Sequence, residues 1–264
     1  MRLLTTTVAA LMLPVLLSAQ SGATQQPSAQ TVHDKLSAEL ATQTAAYRAA
    51  SAAITSTEAY KQARKARDNQ ALRELRSSLQ RPDAAGLGRA AFDAAKNYEG
   101  DDALMLLTWA AINSRDTDIV KGVVAQVQAS HMKSPALVGL LEKASMLSRP
   151  LGASESDAFL TQVIADSPVD LAKAWAMYWQ SMALSRSRDR EKTADKAKEL
   201  MAKAEKLCGD HWLGDKIRGP MFAKEKLQVG LVAPNIQGED MDGVKFQLAD
   251  YRGKVVVLDF WGFW

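Results

Sequence analysis

The spacing of apolar and polar positions divides the chain into two regions with different patterns. From residue 32 to about 226 the sequence is alanine-rich, has few β-branched runs, and places apolar residues at helical intervals. From about residue 227 glycine and proline punctuate short runs, and 244–248 alternates apolar and polar positions as a half-exposed strand does. The run 255–261 is apolar on both faces apart from Asp259, which is typical of a central strand covered on both sides. We therefore predict a mainly α protein with an α/β segment after it.

Helix-start signals recur along the first region, residues 32–226. Ser134 and Ser167 each precede a proline, as an N-cap does before proline at the first helical position, and they lie 33 residues apart. One more step back falls on Asp101, a third candidate start. Two helices per period of this length are typical of tetratricopeptide (TPR)-type repeats, so we predict an α-solenoid of TPR-like helix pairs. The first helices of the pairs are predicted at 87–98, 118–130 and 155–166.

Other local signals predict where helices begin and where a turn lies in the two regions. The strings Thr-Ser-Thr-Glu (55–58) and Ser-Glu-Ser-Asp (154–157) predict capping boxes. The string Asp-Met-Asp-Gly (240–243) predicts a hairpin turn, because Asp-Gly accommodates the positive φ of such turns.

The N-terminus has the pattern of an export signal. Arg2 precedes an apolar run at 3–17, which is shorter than the roughly 20 residues that span a bilayer and fits the apolar region of a signal peptide. Small residues offer cleavage after Ala19 or Ala23, and an amphipathic first helix is disfavoured because the run has no polar stripe. We predict a signal peptide at 1–23, a polar linker at 24–31, and a periplasmic or secreted protein with no stable membrane span after cleavage.

Composition and charge limit the partners and the kinds of site that the chain can have. The 264 residues contain 33 Lys and Arg against 30 Asp and Glu, a net charge of +3 without a dominant basic block, which argues against a nucleic-acid partner. Cys208 is the only cysteine, so an intrachain disulfide and a cysteine-rich zinc site are excluded. The three histidines lack metal-ligand spacing, and we predict neither a metal nor a cofactor. Cys208 sits where a helix ends on a glycine, and a structural, half-buried thiol is the favoured interpretation.

Two further patterns in the predicted helical region are interpreted as structural. Ser-His-Met-Lys (130–133) fits the Ser-x-x-Lys string of some serine enzymes, but no partner motif accompanies it. The aromatic residues of the helices invite a ligand platform, yet packing between helices is the favoured interpretation. These residues are Trp109, Trp175, Tyr178 and Trp179.

The residues that carry a family resemblance are all in 227–264. Gly-Leu-Val-Ala-Pro (230–234) is followed by the predicted hairpin, then Asp-Tyr-Arg-Gly-Lys (250–254), then a run ending Leu-Asp-Phe-Trp-Gly-Phe-Trp (258–264). In this order the motifs resemble the opening of a thioredoxin-fold redoxin domain of the AhpC/TSA and TlpA/ResA kind. The Trp-x-x-Trp string favours the thioredoxin-like branch over typical peroxiredoxins.

The resemblance implies a chemistry and its supporting residues. The family performs thiol–disulfide exchange or antioxidant reduction, with protein thiols and disulfides or peroxide as partners. Its Cys-x-x-Cys would follow Trp264, so no catalytic residue is expected in this chain. Asp259 matches a buried carboxylate that takes and returns the resolving thiol's proton, although a merely tolerated polar residue is the other interpretation. Trp261 and Trp264 match aromatics that pack beside the active site.

These observations lead to two expectations. The first is a fragment of an exported redoxin protein, from a fragmentary gene model or a stopped frame, in which 227–264 is an incomplete domain without activity of its own. The second is a non-catalytic periplasmic binding or scaffold module, in which the helical repeats 32–226 recruit a protein and the redoxin tail is vestigial.

Overall fold

The computed structural model describes residues 26–259, and the predicted signal peptide at 1–23 lies outside them. The described part is mostly helical, as predicted from the apolar spacing. Its α-helices are α1 (Ala29–Ser56), α2 (Glu58–Lys65), α3 (Asn69–Leu75), α4 (Ala84–Ala95), α5 (Gly100–Ser114), α6 (Thr117–Ser130), α7 (Leu137–Glu142), α8 (Ser148–Leu151), α9 (Ala153–Asp166), α10 (Asp170–Ser185), α11 (Arg190–Leu207) and α12 (Trp212–Lys226). None of the helices within residues 26–259 combines the length and the apolar character needed to cross a membrane.

The first helix begins earlier than predicted. α1 starts at Ala29, inside the stretch 24–31 that was predicted to be a linker, and Ala29 is buried. The Ser28 hydroxyl accepts the Thr31 N–H at 3.1 Å and caps the helix. The chain before it is also held, since the Tyr98 hydroxyl donates to the Pro27 carbonyl at 2.5 Å. Tertiary contact with the end of α4 orders residues that are polar in sequence.

The two predicted capping boxes do not form. In the first, the N-cap is Thr57, whose hydroxyl accepts the Tyr60 N–H at 3.2 Å, so Glu58 is the first helical residue and not the third. In the second, α9 already begins at Ala153, after Gly152 with φ 78°, and no side chain caps it. A glycine in the left-handed region turns the chain directly into α9, which leaves Ser154 inside the first turn.

The repeat signals located the helices more accurately. α5 begins at Gly100, beside the predicted start at Asp101. Ser134 accepts the Ala136 N–H at 3.0 Å and Ser167 accepts the Val169 N–H at 3.3 Å, and α7 and α10 begin three residues after each serine. The predicted N-cap role of the two serines is wrong, because the N-caps are Ala136 and Val169 and each proline lies before its helix. The predicted helices at 87–98, 118–130 and 155–166 correspond to α4, α6 and α9.

The helices pack around one apolar core. α5 packs against α4 and α6, α10 packs against α9 and α11, and α7 lies against both α5 and α10. α1 covers α4 and α5. The largest side chains that are fully buried include Trp175, Phe159 and Leu104.

Several side chains that are 33 or 34 residues apart meet on the surface of the helical region. Ser134 donates to Asp101 at 2.5 Å across a separation of 33 residues. Lys121 on α6 pairs with Glu155 on α9 at 2.7 Å, a separation of 34 residues. Gln128 and Gln162 are joined in the same way at 2.8 Å. At these three places, residues 33 or 34 apart in the chain are therefore neighbours in space.

A short hairpin follows α12. β1 (Gln237–Glu239) pairs antiparallel with β2 (Lys245–Gln247), with Gly238 opposite Phe246. At the turn the Asp240 N–H donates to the Val244 carbonyl at 3.0 Å, and Gly243 has φ 78°. The hairpin predicted at the Asp-Gly string is thus confirmed. A 3₁₀ turn at Leu248–Tyr251 comes next.

The predicted central strand at 255–261 is not formed in the described part of the chain. Residues 255–259 have no regular structure, and Val255 and Val257 are 97% and 88% exposed. A strand leaves its backbone N–H and C=O groups unpaired until another strand lies beside it. Within residues 26–259 the sheet contains only β1 and β2, and neither lies beside this run.

Candidate functional site

The residues that the family resemblance singled out lie at the end of the described chain. Asp259 is exposed and follows the irregular stretch that begins after Gly253. The burial expected for its carboxylate is therefore absent, because the strands that would cover it are not paired around it. Trp261 and Trp264 lie outside the described residues.

The hairpin is held to the following 3₁₀ turn by a compact polar network. The Asn235 amide donates to Gln247 Oε1 at 2.8 Å, and its Oδ1 accepts the Ala249 N–H at 2.9 Å. Asp250 accepts from both the backbone and the side-chain amide of Gln247, at 3.1 and 3.0 Å. The segment 235–250 is thus a locally specified unit, although none of the residues 227–259 is buried.

A shallow depression of about 450 Å³ lies along the hairpin. Its ionisable members are Glu239, Lys245 and Asp250, and Asp250 is already engaged with Gln247. No thiol lines it among the described residues, and the hydrogen bonds that surround it serve the turn. The depression therefore has the features of a packing surface on one face of a small sheet, without a group for thiol chemistry in that part of the chain.

Cys208 is in the helical region and is chemically protected. It follows the last residue of α11, is 5% exposed, and its Sγ contacts the Ala204 carbonyl at 3.0 Å. Burial raises the pKa of the Cys208 thiol above its usual range, although the nearby Arg218 partly opposes this effect. A thiol held in its protonated form is a poor nucleophile, so the structural interpretation of Cys208 is supported. It is more deeply buried than predicted.

The Ser-x-x-Lys string at 130–133 forms no serine-enzyme site in the described structure. Its neighbour Ser134 donates to Asp101, and the buried His131 makes no side-chain hydrogen bond among the described residues. Burial lowers the pKa of His131 below its usual range, and the charge of Asp101 partly opposes the effect. Ser130 and Lys133, the nucleophile and base positions of the string, are both exposed, and no hydrogen bond joins their side chains in the described structure. A base that does not contact a hydroxyl cannot activate it, so the structural interpretation is supported.

The aromatic residues pack between helices, as predicted from the sequence. Trp109 donates its indole N–H to Ser37 on α1 at 2.9 Å, and Trp179 donates to the Leu141 carbonyl at 2.8 Å. Trp175 stacks with Trp179 at 6.1 Å between ring centroids and meets Trp212 edge-on at 5.1 Å. These rings fasten α10 to α7 and α12.

Sequence reasoning missed the part of α12 in this cluster. His211 Nδ1 accepts the Leu213 N–H at 3.2 Å and caps α12, while its Nε2 faces Glu142 at 3.5 Å. Lys216 lies over the rings of Trp212 and Tyr178. Histidine is not among the usual N-cap residues, so the sequence carried no clear signal for this helix start.

Groups of three or more His, Cys, Asp or Glu side chains able to hold a metal ion are not found within 26–259. The side chains described so far serve packing, helix capping and hydrogen bonding. Evidence for a chemical activity therefore has to come from the segment after α12.

Comparison with known proteins shows a relationship for part of the chain. Part of the chain is similar to ResA. A stretch of 59 residues, 22% of this chain, is 46% identical to a thiol-disulfide oxidoreductase ResA of Bacillus cereus and covers 33% of it. A stretch of 53 residues is 45% identical to ResA of Bacillus subtilis (strain 168), covering 20% of this chain and 30% of that protein. ResA of Geobacillus thermodenitrificans (strain NG80-2) is 46% identical over 53 residues, with the same coverage.

The chain spans about a third of the length of these curated relatives. No family model matches the chain. No solved structure matches it significantly either. A redoxin-like segment is therefore present in part, and the relatives leave most of the helical region without a counterpart.

Proposed function

We propose that residues 227–264 open a thioredoxin-fold redoxin domain and that the protein to which they belong performs thiol–disulfide exchange. The observation that carries the proposal is the similarity to ResA proteins at about 45% identity. Two further observations support it. The hairpin at 237–247 forms where the family motifs predicted it, and the apolar run after it lies exposed, as an unpaired strand would.

The exchange requires two thiols beyond those in this sequence. In the proposed reaction a thiolate attacks one sulfur of a substrate disulfide, forms a mixed disulfide, and releases the other substrate sulfur as a thiolate. A second thiolate then attacks the mixed disulfide, which leaves the protein oxidised and the substrate reduced. Cys208 is the only cysteine and is buried, so the reacting pair is a Cys-x-x-Cys supplied after Trp264, and residues 1–264 are inactive by themselves.

Asp259 has a specific role in this proposal. When further strands pair beside 255–259, the carboxylate enters the sheet beneath the cysteine pair and exchanges a proton with the resolving thiol. Trp261 and Trp264 then pack beside the cysteines. Proton transfer by a positioned side chain contributes roughly a hundredfold or more to a rate, which sets the size of the expected effect.

The test starts with the coding DNA beyond codon 264. We expect the frame to continue into Cys-x-x-Cys and the remainder of the domain. The whole protein is then expected to accelerate insulin reduction by dithiothreitol, with Asp259→Asn slowing it about a hundredfold. Asp242→Asn, at an exposed position of the hairpin turn, is the matched control and should keep the activity.

Two results would overturn the proposal. One is a frame that continues without a cysteine pair. The other is a whole protein that contains the pair and accelerates neither insulin reduction nor peroxide consumption. Either result would leave the similarity to ResA as a relationship of sequence without the activity.

The helical region 32–226 is proposed to be a solenoid of TPR-like helix pairs. The hydrogen bonds between positions 33 or 34 residues apart support it, because a solenoid brings equivalent positions of neighbouring repeats into contact. A solenoid positions the redoxin domain or recruits a protein to it. An experimental structure in which α4–α5, α6–α7 and α9–α10 do not superpose as pairs would contradict this proposal.

Export completes the proposal. Stable disulfides persist mainly outside the reducing cytoplasm, and residues 1–23 have the pattern of a signal peptide. We expect the mature protein, recovered from the periplasm or the medium, to begin at Gln20 or Thr24. N-terminal sequencing tests this, and an intact Met1 in the protein outside the cytoplasm would contradict cleavage.

A further inference from the structure

A cleft lies where the ends of α5 and α10 approach α8. It consists of two adjoining cavities of about 590 and 380 Å³ that share Ser145 and Arg149 in their walls. Arg115 lines the first cavity and Arg186 lines the second. We call this feature the arginine cleft and define it by Arg115, Arg149 and Arg186.

The three guanidinium groups are exposed and have no acidic partner among the described residues. None of them lies within 4.0 Å of a carboxylate oxygen in the range 26–259, and all three side chains are solvent-exposed. Among the arginines within 26–259, Arg89 and Arg218 do lie that close to a carboxylate oxygen, and Arg218 contacts Asp215 at 2.7 Å. Within the same range Asp157 is the one acidic residue in the walls, and its Oδ1 already accepts the Gln180 side-chain amide at 2.9 Å.

The backbone that carries the arginines is fixed by the core. Arg115 and Arg186 directly follow the last residues of α5 and α10 as their C-caps, and α8 carries Arg149. Buried residues, Ala144 and Leu160 among them, line the second cavity. Three positive charges are therefore presented from anchored positions along one elongated cleft.

We propose that the arginine cleft binds an acidic peptide segment of a partner protein. A guanidinium group presents a planar set of donors that matches a carboxylate, and it stays charged at any physiological pH. Two connected cavities exceed the size of a single small anion and suit an extended chain that carries several carboxylates. Hydroxyl groups of Thr117 and Ser156 line the same walls and supply donors for a peptide backbone.

An acidic peptide fits better than a nucleic acid. Nucleic-acid binding surfaces place many cations along a phosphate backbone, whereas the net charge of this protein is only +3. The proposal does not depend on thiol chemistry, because the cleft lies wholly in the helical region.

The test uses fluorescein-labelled hexaglutamate and the 264-residue protein. Fluorescence anisotropy at low salt is expected to show saturable binding. The triple variant Arg115→Gln/Arg149→Gln/Arg186→Gln is expected to weaken it by about tenfold or more, since it removes three charge-assisted contacts. The control triple variant, Arg64→Gln/Arg73→Gln/Arg81→Gln, removes the same charge at exposed positions around α2 and α3 and should keep the affinity within about twofold.

Circular dichroism of both variants shows whether the fold is retained, and the single variant Arg149→Gln provides a second measurement. Because Arg149 lines both cavities, it is expected to weaken binding more than either other single change. The proposal is overturned if hexaglutamate does not bind, or if both triple variants lose affinity equally. Tighter binding of an oligothymidylate than of hexaglutamate would replace the peptide by a nucleic acid.

Discussion

The helical region and the segment after it contain the same kinds of apolar residues in opposite environments. Val120 and Val123 on α6 are fully buried, whereas Val229 and Val255 of the segment 227–259 are almost fully exposed. Hydrophobicity alone therefore does not explain burial in this protein. The difference lies in which regions have the elements that they need to cover their apolar faces.

The reason is the way each element satisfies its backbone. A helix pairs its own N–H and C=O groups, so the α4–α5 pair needs only side-chain packing to bury its apolar faces. A strand pairs with another strand, and residues 255–259 have none beside them in the described structure. The segment retains only the local hairpin, which the Asp240 turn and the Asn235 network specify without a core.

Removing a large apolar side chain should give the greatest difference between the two regions. Phe159→Ala on α9 deletes a ring that is 1% exposed and is expected to lower the free energy of unfolding by about 3–5 kcal/mol. Val257→Ala in the exposed run should change it by less than about 0.5 kcal/mol. Urea denaturation followed by circular dichroism measures both, and similar losses would show that the run is packed in solution.

A methyl group added inside the helical region tests how closely its helices pack. At Gly88 on α4 a Cβ would lie 2.4 Å from the Ser114 Cβ, so Gly88→Ala should lower the free energy of unfolding by about 1–3 kcal/mol. Gly139→Ala on α7 meets no atom within 4 Å and should raise it by about 0.5–1 kcal/mol through helix propensity. A stabilising Gly88→Ala would mean that α4 and α5 pack loosely.

A change in the hairpin turn should act locally. The Asp240 carboxylate accepts the N–H groups of Asp242 and Val244, both at 2.9 Å, and Asp240→Ala should destabilise the hairpin by about 1 kcal/mol. Amide hydrogen exchange is expected to accelerate at 237–247 while the midpoint of helical unfolding stays constant. A shifted midpoint would reveal coupling between the two regions, and Asp242→Ala serves as the control.

The smallest effect concerns pH and the helical region alone. Because burial lowers the pKa of His131 in the folded protein, the unfolded chain binds the proton more readily than the folded chain below the ordinary value of 6.5. The free energy of unfolding should therefore decrease as the pH falls from about 7.5 through that value. His131→Gln should decrease less over the same interval, and an unchanged pH dependence would contradict the role of His131.

Several helices were predictable because their signals are local. Ser-Pro at 134 and 167 and the acidic pair at Asp101 lie within three residues of the starts of α7, α10 and α5, although none of these side chains is the N-cap. Such residues favour a helix start through their own local conformation and charge. The capping boxes at 55–58 and 154–157 were wrong because Thr57 and Gly152 offered competing local solutions. Such competition is decided by a few hydrogen bonds, which a four-residue string does not rank.

The candidate sites divide in the same way. The motifs at 230–264 could be recognised from the sequence because they are contiguous in the chain. They indicated a redoxin relationship, which the similarity to ResA supports in part. The arginine cleft has no such motif, since Arg115, Arg149 and Arg186 come from three helices. Only their packing places three guanidinium groups in one cleft.

The sequence by itself determined the mainly helical character of the chain, the hairpin turn and the restriction to one thiol, because each of these follows from neighbouring residues or from composition. Tertiary structure alone decided that Cys208 is buried, that His211 caps α12 beside Glu142, and that Val255 and Asp259 are exposed. These outcomes depend on contacts between residues far apart in the chain, or on the lack of them, and burial is a property of such contacts.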